Sequence, residues 1–310
     1  MSLKVTILGA SSAKPSATRH PSAQIVDHNG CRYLVDAGEG AQQQMFRKGV
    51  HPLTLRAVFI SHLHGDHVFG LFPLLSTMGL EGRRQPLTVF APAPFGEILD
   101  SFGRHFGENM PYEVQWVEVD TSQHSLLLET KTLEVWSIPL RHTVRSTGYL
   151  FREKPPQRNV EKFKIERYGL SVQQIVAAKR GEDVVLEDGT VVPNGELTYE
   201  PWQPVSYAYC SDTSFSNRAA ETVKGVDLLY HEATYGSDLK GMAAERGHST
   251  AVQAAETARR AGAGQLLIGH FSSRYKDLQP LLDEARAVFP NTVIAVEGET
   301  YEAVKQIQND

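Results

Sequence analysis

The sequence predicts an α/β protein carrying one inserted segment, and three observations lead there. Short apolar runs rich in β-branched and aromatic residues alternate with stretches of helical period, the pattern of sheets covered by helices. That alternation lapses after about residue 150 and resumes at Val205. The 310 residues, 41% hydrophobic and 22% charged, suffice for a large buried core of ordinary globular composition. The expected organisation is a core formed by residues 1–150 and 205–310, with an insertion at 151–204.

The elements follow in order. Lys4 to Leu8 reads as a first strand ending at Gly9, followed by a polar loop from Ala10 to Pro21. Ala23 to Asp27 and Cys31 to Asp36 flank His28-Asn29-Gly30, and Asn-Gly is a strong two-residue hairpin signal. A helical stretch runs to Lys48, and Arg56 to Ile60 is a strand. One apolar helix is expected from about Asp66 to Met78. Leu87 to Ala91 (strand), Phe95 to Phe106 (helix) and Tyr112 to Val119 (strand) continue the pattern, then strands Ser125 to Glu129 and Leu133 to Ile138. After the insertion come strands Val205 to Cys210, Val226 to Tyr230, Gln265 to Gly269 and Thr292 to Val296. Thr250 and Gln253 form a capping box at the start of an alanine-rich helix, and Asp277 to Val288 is a further helix.

The insertion differs in composition. Pro155-Pro156 breaks the chain, and residues 151–180 hold eight Lys/Arg against three Asp/Glu. Residues 181–200 hold six acids and no Lys or Arg. The blocks read either as an arm projecting from the core with a basic first half, or as a plain solvated hairpin and helix.

Composition excludes several classes. The first residues lack the basic-then-apolar layout of a signal peptide, and no apolar run approaches membrane-spanning length. Two cysteines, Cys31 and Cys210, imply no disulfide framework and suit a reducing cytoplasm; each lies in an apolar run and reads as a buried thiol. A net charge of −5 argues against a globally basic nucleic-acid coat and leaves a local basic surface open.

The chemistry concentrates in His62-Leu63-His64-Gly65-Asp66-His67, three imidazoles and a carboxylate where strand gives way to helix. Such groups are ligands for zinc and similar divalent ions. A histidine-rich polar loop is the bland reading, but a regularity opposes it. This cluster, His142, Asp212, His231 and His270 each follow or close an apolar strand-like run, where an α/β scaffold places functional groups. His28 and His105 look like solvent decoration. His62, His64, Asp66, His67, His142, Asp212 and His270 are too many ligands for one catalytic zinc, whereas two ions sharing Asp212 would use them all. Paired ions suit phosphate-ester hydrolysis; spacing alone does not decide between one ion and two.

These residues resemble the metallo-β-lactamase superfamily, whose signature is H-x-H-x-D-H, and within it the ribonuclease Z family over nearly the whole chain. The shared pieces include Asp36-x-Gly38-Glu39-Gly40, Ser61 to His67 and Tyr209-Cys210-Ser211-Asp212-Thr213. His231-Glu232-Ala233-Thr234 and His248-Ser249-Thr250 are the discriminating additions. The resemblance implies a four-layer αβ/βα sandwich with a protruding arm. It implies one zinc on His62, His64 and His142, a second on Asp66, His67 and His270, and Asp212 between them; manganese or iron also suits such ligands. Asp36 would orient a ligand imidazole, and His231 is expected to be structural or supporting. The implied activity is removal of the 3′ trailer from precursor tRNA after the discriminator nucleotide, leaving a 3′-hydroxyl and a 5′-phosphate. In that reaction Asp66 orients the attacking water or accepts its proton, and His248 with Glu232 supplies the acid. A homodimer is implied too, with the arm gripping tRNA.

Two stretches depart from the family pattern. The P-x-K-x-R-N loop stands here as Pro15-Ser16-Ala17-Thr18-Arg19-His20, retaining an Arg19 that could hold a phosphate. The Gly-Pro-rich arm tip is replaced by Ser171-Val172-Gln173-Gln174-Ile175-Val176. The competing functions are a small-molecule phosphodiesterase or arylsulfatase of the same superfamily, and a non-catalytic RNA-binding scaffold.

Overall fold

A computed structural model of the chain describes residues 2–107 and 110–305. The chain divides into two compact units, residues 1–152 with 205–310, and residues 153–204. The first unit begins with β1 (Leu3–Gly9), β2 (Ala23–His28), β3 (Cys31–Ala37) and α1 (Ala41–Arg47). Next come β4 (Leu55–Phe59), α2 (Gly65–Val68), α3 (Leu71–Leu80), β5 (Leu87–Ala91), α4 (Phe95–Phe106) and β6 (Val114–Glu118). β7 (Leu126–Glu129), β8 (Leu133–Pro139) and β9 (Thr147–Glu153) lead into the second unit.

That unit contains β10 (Asn159–Val160), α5 (Lys162–Tyr168), α6 (Val172–Lys179), β11 (Val184–Val185), β12 (Val191–Val192), α7 (Asn194–Leu197) and β13 (Thr198–Tyr199). Two-residue strands pair as β10 with β13 and β11 with β12. Its own core is small: Leu170, Ala178, Val184, Val192 and Leu197. Ser171, within the altered tip, caps α6 through a reciprocal box with Gln174.

The first unit resumes with β14 (Ser206–Cys210), α8 (Asn217–Thr222), β15 (Leu228–Glu232), α9 (Lys240–Arg246) and α10 (Ala251–Ala261), the last carrying the expected Thr250–Gln253 box. β16 (Gln265–Gly269), α11 (Gln279–Arg286), β17 (Thr292–Ile294) and β18 (Thr300–Glu302) complete it. Two seven-stranded mixed sheets result, ordered β18-β1-β2-β3-β4-β5-β6 and β17-β16-β15-β14-β9-β8-β7. One core cluster joins their inner faces, with Phe59, Tyr149, Phe151, Tyr207 and Tyr230 buried in it. Burial of Phe59 and of Phe151 stabilises the sandwich by roughly 1.5–3 kcal/mol each. A second cluster packs α1, α3 and α4 on one outer face, and a third packs α8, α10 and α11 on the other. This is the expected αβ/βα sandwich.

Three local results bear on the site. Asn29 (φ 53°) and Gly30 (φ 83°) make the expected β2–β3 hairpin turn. The single helix expected over Asp66 to Met78 is broken at Phe69-Gly70. There the Gly70 N–H donates to the Ala37 carbonyl at 2.8 Å, and a Cβ on Gly70 would lie 2.1 Å from the Gly38 oxygen. The break thus docks the histidine loop onto the end of β3. His28 is buried at the end of β2 rather than solvated, whereas His105 is exposed. Among the described residues no helix is long and apolar enough to cross a membrane.

Candidate metal centre

The strand ends deliver the donors. β4 leads into His62, β8 into His142, β14 into Asp212 and β16 into His270. The parallel pairing of β14, β15 and β16 brings three of the loops in the second sheet to one rim. Donor atoms of His62, His64, His142 and Asp212 lie within 4.8 Å of one another, as do those of Asp66, His67 and His270.

Asp212 stands between the two groups. Its Oδ2 is 3.5 Å from His62 Nε2 and 3.7 Å from His142 Nε2. Its Oδ1 is 3.5 Å from His67 Nε2 and 3.2 Å from His270 Nε2. His64 Nδ1 approaches His62 Nε2 at 3.1 Å and His142 Nε2 at 3.3 Å. Asp66 Oδ2 is 3.5 Å from the Nε2 atoms of both His67 and His270. Tetrahedral zinc with bonds of about 2.0–2.1 Å separates its ligands by roughly 3.3 Å, so both sets have the right spread.

The far side of each ring is fixed. His67 Nδ1 donates to Asp36 at 2.7 Å, His142 Nδ1 to the Gly247 carbonyl at 2.8 Å, and His270 Nδ1 meets Thr234 Oγ1 at 2.8 Å. These bonds leave the Nε2 lone pairs facing inward. Asp36, fully buried with φ 55°, also accepts from the Ser61 N–H and hydroxyl and from the Tyr209 hydroxyl. Ser61 Oγ in turn lies 3.0 Å from His62 Nδ1. Asp66 Oδ2 accepts from the Ala13 N–H at 2.7 Å.

Electrostatics favour a cation. Burial, aided by repulsion among His67, His142 and His64, holds the His62 imidazole well below its usual pKa. Burial also lowers His64 and His142, despite the Asp212 carboxylate. For His67 burial is outweighed by Asp212, Asp36 and Asp66, which raise it well above its usual value. Asp212 Oδ1 is buried without a hydrogen-bond donor, an expensive arrangement unless a cation meets it. The all-nitrogen-and-oxygen donor set therefore fits divalent metal.

Beside the donors sits an acid–carboxylate pair. His248 Nδ1 lies 2.9 Å from Glu232 Oε1, and Glu232 is fully buried. Glu232 also accepts from the N–H groups of Thr213, Ser249 and Thr234 and from the Thr234 hydroxyl. Burial disfavours the charged His248 ring, but Glu232 prevails and raises it to about 9. The His248 ring is 5.0 Å from His142 and 5.4 Å from His270.

Two expected residues lie outside this cluster. His231 is buried in β15 with Nδ1 donating to the Glu232 carbonyl at 2.7 Å. Arg19 donates to the carbonyls of Tyr275 and Lys276 at 2.8 and 3.1 Å, pinning that loop. Sequence reasoning assigns no supporting role to Ser61, Tyr209, Thr234 or the Gly247 carbonyl. The first three are polar residues within or beside ligand motifs, the one signal available; a backbone carbonyl offers none.

Residues 19–154 match the family model described as the metallo-β-lactamase superfamily. Ribonuclease Z of Porphyromonas gingivalis is 45% identical over 94% of this chain and 96% of its own length. Ribonuclease Z of Parabacteroides distasonis is 42% identical, covering 95% of this chain and 97% of its own. The crystal structure of human tRNase Z, short form, aligns with 97% of this chain and 100% of its own, with a TM-score of 0.70. At 23% identity that likeness is one of fold.

Proposed function

The chain belongs to the ribonuclease Z family, and from that premise we propose that it removes the 3′ trailer of precursor tRNA after the discriminator nucleotide. The products are a tRNA 3′-hydroxyl and a trailer 5′-phosphate. The observation that carries this reading is the pair of donor groups sharing Asp212, with the Glu232–His248 pair beside them.

His62, His64 and His142 would hold one zinc ion, and Asp66, His67 and His270 the other, with Asp212 serving both; manganese or iron suits the same donors. Bound there, the ions would supply Lewis-acid polarisation of the phosphoryl oxygens and a water acidic enough to attack near neutral pH. Asp66 orients the attacking water or accepts its proton. His248, its Nδ1 tied to Glu232, is left with Nε2–H for the departing ribose 3′-oxygen. Asp36 keeps His67 in the tautomer that presents Nε2. Arg19, engaged with two carbonyls, acts by shaping the loop over Tyr275 and Lys276.

The 153–204 unit is the tRNA-gripping arm of this reading. Lys162, Arg167 and Arg180 are exposed there and carry no ion pair among the described residues, which leaves their charges available to phosphates. The enzyme works as a homodimer, the arm of one subunit serving the other, in the cytoplasm where Cys31 and Cys210 stay reduced. Incubating precursor tRNA with the metal-loaded chain, with and without chelator, tests the proposal. Chelator-sensitive cleavage after the discriminator with a 5′-phosphate on the trailer is expected. Hydrolysis of small phosphodiesters with intact precursor would transfer the site to small-molecule chemistry, and binding without cleavage to a scaffold role.

A further inference from the structure

Next to the donor loops lies a cleft of about 550 Å³ lined by Leu63, Ala93, Pro94, Glu97, Val144 and Arg145. The loops that carry metal-type donors also build its walls. Leu63 stands between His62 and His64, while Val144 and Arg145 follow His142 by two and three positions. Ala93, Pro94 and the first turn of α4 complete it. None of the six has a role in holding metal or moving a proton.

The lining has two chemical characters. Leu63 is half-buried, Pro94 exposed and Val144 41% exposed, an apolar surface open to a flat ring. Arg145 is exposed and makes no hydrogen bond or ion pair among the described residues. Ser122's hydrogen bonds chiefly, and Arg145's charge in smaller part, hold the Asp120 carboxyl below its usual range. An unpaired guanidinium beside an apolar wall matches a nucleotide, with phosphate on the cation and base against the wall. Glu97 repels phosphate, so the backbone is directed to the Arg145 wall.

We propose that this cleft is a subsite for a nucleotide flanking the scissile phosphate, its base packed on Leu63, Pro94 and Val144 and its phosphate paired with Arg145. The proposal rests on the nuclease reading above and adds to it residues that set affinity for the RNA next to the cut. Val144 and Arg145 are its accessible handles, since Leu63 is flanked by two metal-type donors.

The test pairs changes in enzyme and substrate. Precursors lacking the base at the discriminator position, or at the first trailer position, are cleaved by the wild-type, Val144→Asp, Val144→Ala and Arg145→Ala chains, with bound zinc measured in each. Removing the base from one of the two positions is expected to lower wild-type kcat/KM by roughly five- to a hundred-fold, the range of base packing on a protein surface. Val144→Asp should lose a similar factor on intact precursor and little more on that abasic one. If Val144→Asp loses zinc, Val144→Ala supplies the comparison with a smaller loss. Arg145→Ala should lower kcat/KM on intact precursor and lose its effect when a neutral methylphosphonate replaces the adjoining phosphate. Enzyme and substrate losses that simply multiply at both positions would overturn the subsite. A wild-type chain that cleaves no precursor while hydrolysing small phosphodiesters removes the nuclease premise itself, and the proposal with it.

Discussion

The two donor groups share one carboxylate yet are built on opposite electrostatics. In His62, His64 and His142 burial lowers all three imidazoles, so this group offers neutral lone pairs. In Asp66, His67 and His270, carboxylates dominate. Asp36, Asp66 and Asp212 overcome the burial of His67 and favour its proton, while Asp66 is itself driven well below the usual carboxylate range by His67 and His270 against its own burial. The first group is thus ready for a cation through its donor atoms, the second through its charge. One six-residue loop contributes to both: His62 and His64 fall in the first group, Asp66 and His67 at the start of α2 in the second, with the His62 and His67 rings only 4.1 Å apart.

Asp212 is the change that removes the comparison altogether. With Oδ2 toward one group and Oδ1 toward the other, Asp212→Ala is expected to lose both ions and all measurable precursor cleavage. Elemental analysis of the dialysed protein checks this; retention of two ions per chain would show that the groups are independent. His248→Ala should instead keep both ions while kcat falls by roughly 10²–10⁴-fold, the usual worth of a positioned general acid. Wild-type turnover with full metal content would exclude the acid role.

Asp36→Asn sharpens the difference between groups. Its carboxylate holds His67 directly but reaches His62 only through Ser61. The expected result is affinity weakened by about 10–100-fold, the usual cost of losing such support, and falling chiefly on one of the two ions. Stepwise competition with a chelator reads the two affinities separately. Equal weakening of both would mean that Asp36 supports the loop as a whole.

The donors can be read from the sequence because they are ionisable side chains at the ends of apolar strands, and strands are legible from their own residues. Their supports are long-range. The Gly247 carbonyl meets a histidine 105 residues away, and the Tyr209 hydroxyl an aspartate 173 residues away. Neither pairing leaves a local pattern. Arg19 illustrates the converse: motif position suggests a phosphate, while in the structure two of its guanidinium N–H groups go to carbonyls some 256 residues on, a pairing the motif does not announce. The break in the Asp66–Met78 helix, by contrast, has a local signal that the single-helix expectation passes over. Pro73, four residues beyond Phe69, cannot donate to the Phe69 carbonyl and crowds it, and the approach of Gly70 to Gly38 and Ala37 fixes where the first segment ends. His28 defeats sequence reasoning because a hairpin turn suggests solvent, whereas the adjoining strand carries its side chain into buried surroundings.

The smallest expected effect comes from the 153–204 unit, whose removal leaves both donor groups in place. With five buried apolar residues and strands of two residues it is the least buttressed part of the chain, whereas the donors rest on seven-stranded sheets. A chain lacking residues 155–195 should therefore keep its metal content and its hydrolysis of a small phosphodiester, while KM for precursor tRNA rises. The salt dependence gives the sharper measure. Every cation–phosphate pairing that the deletion removes lowers the slope of log affinity against log salt by roughly 0.7–0.9, so the truncated chain should show a flatter slope as well as weaker binding. Equal loss of both activities with falling metal content would mean that the segment stabilises the core. An unchanged slope with intact metal would mean that its basic face meets no RNA.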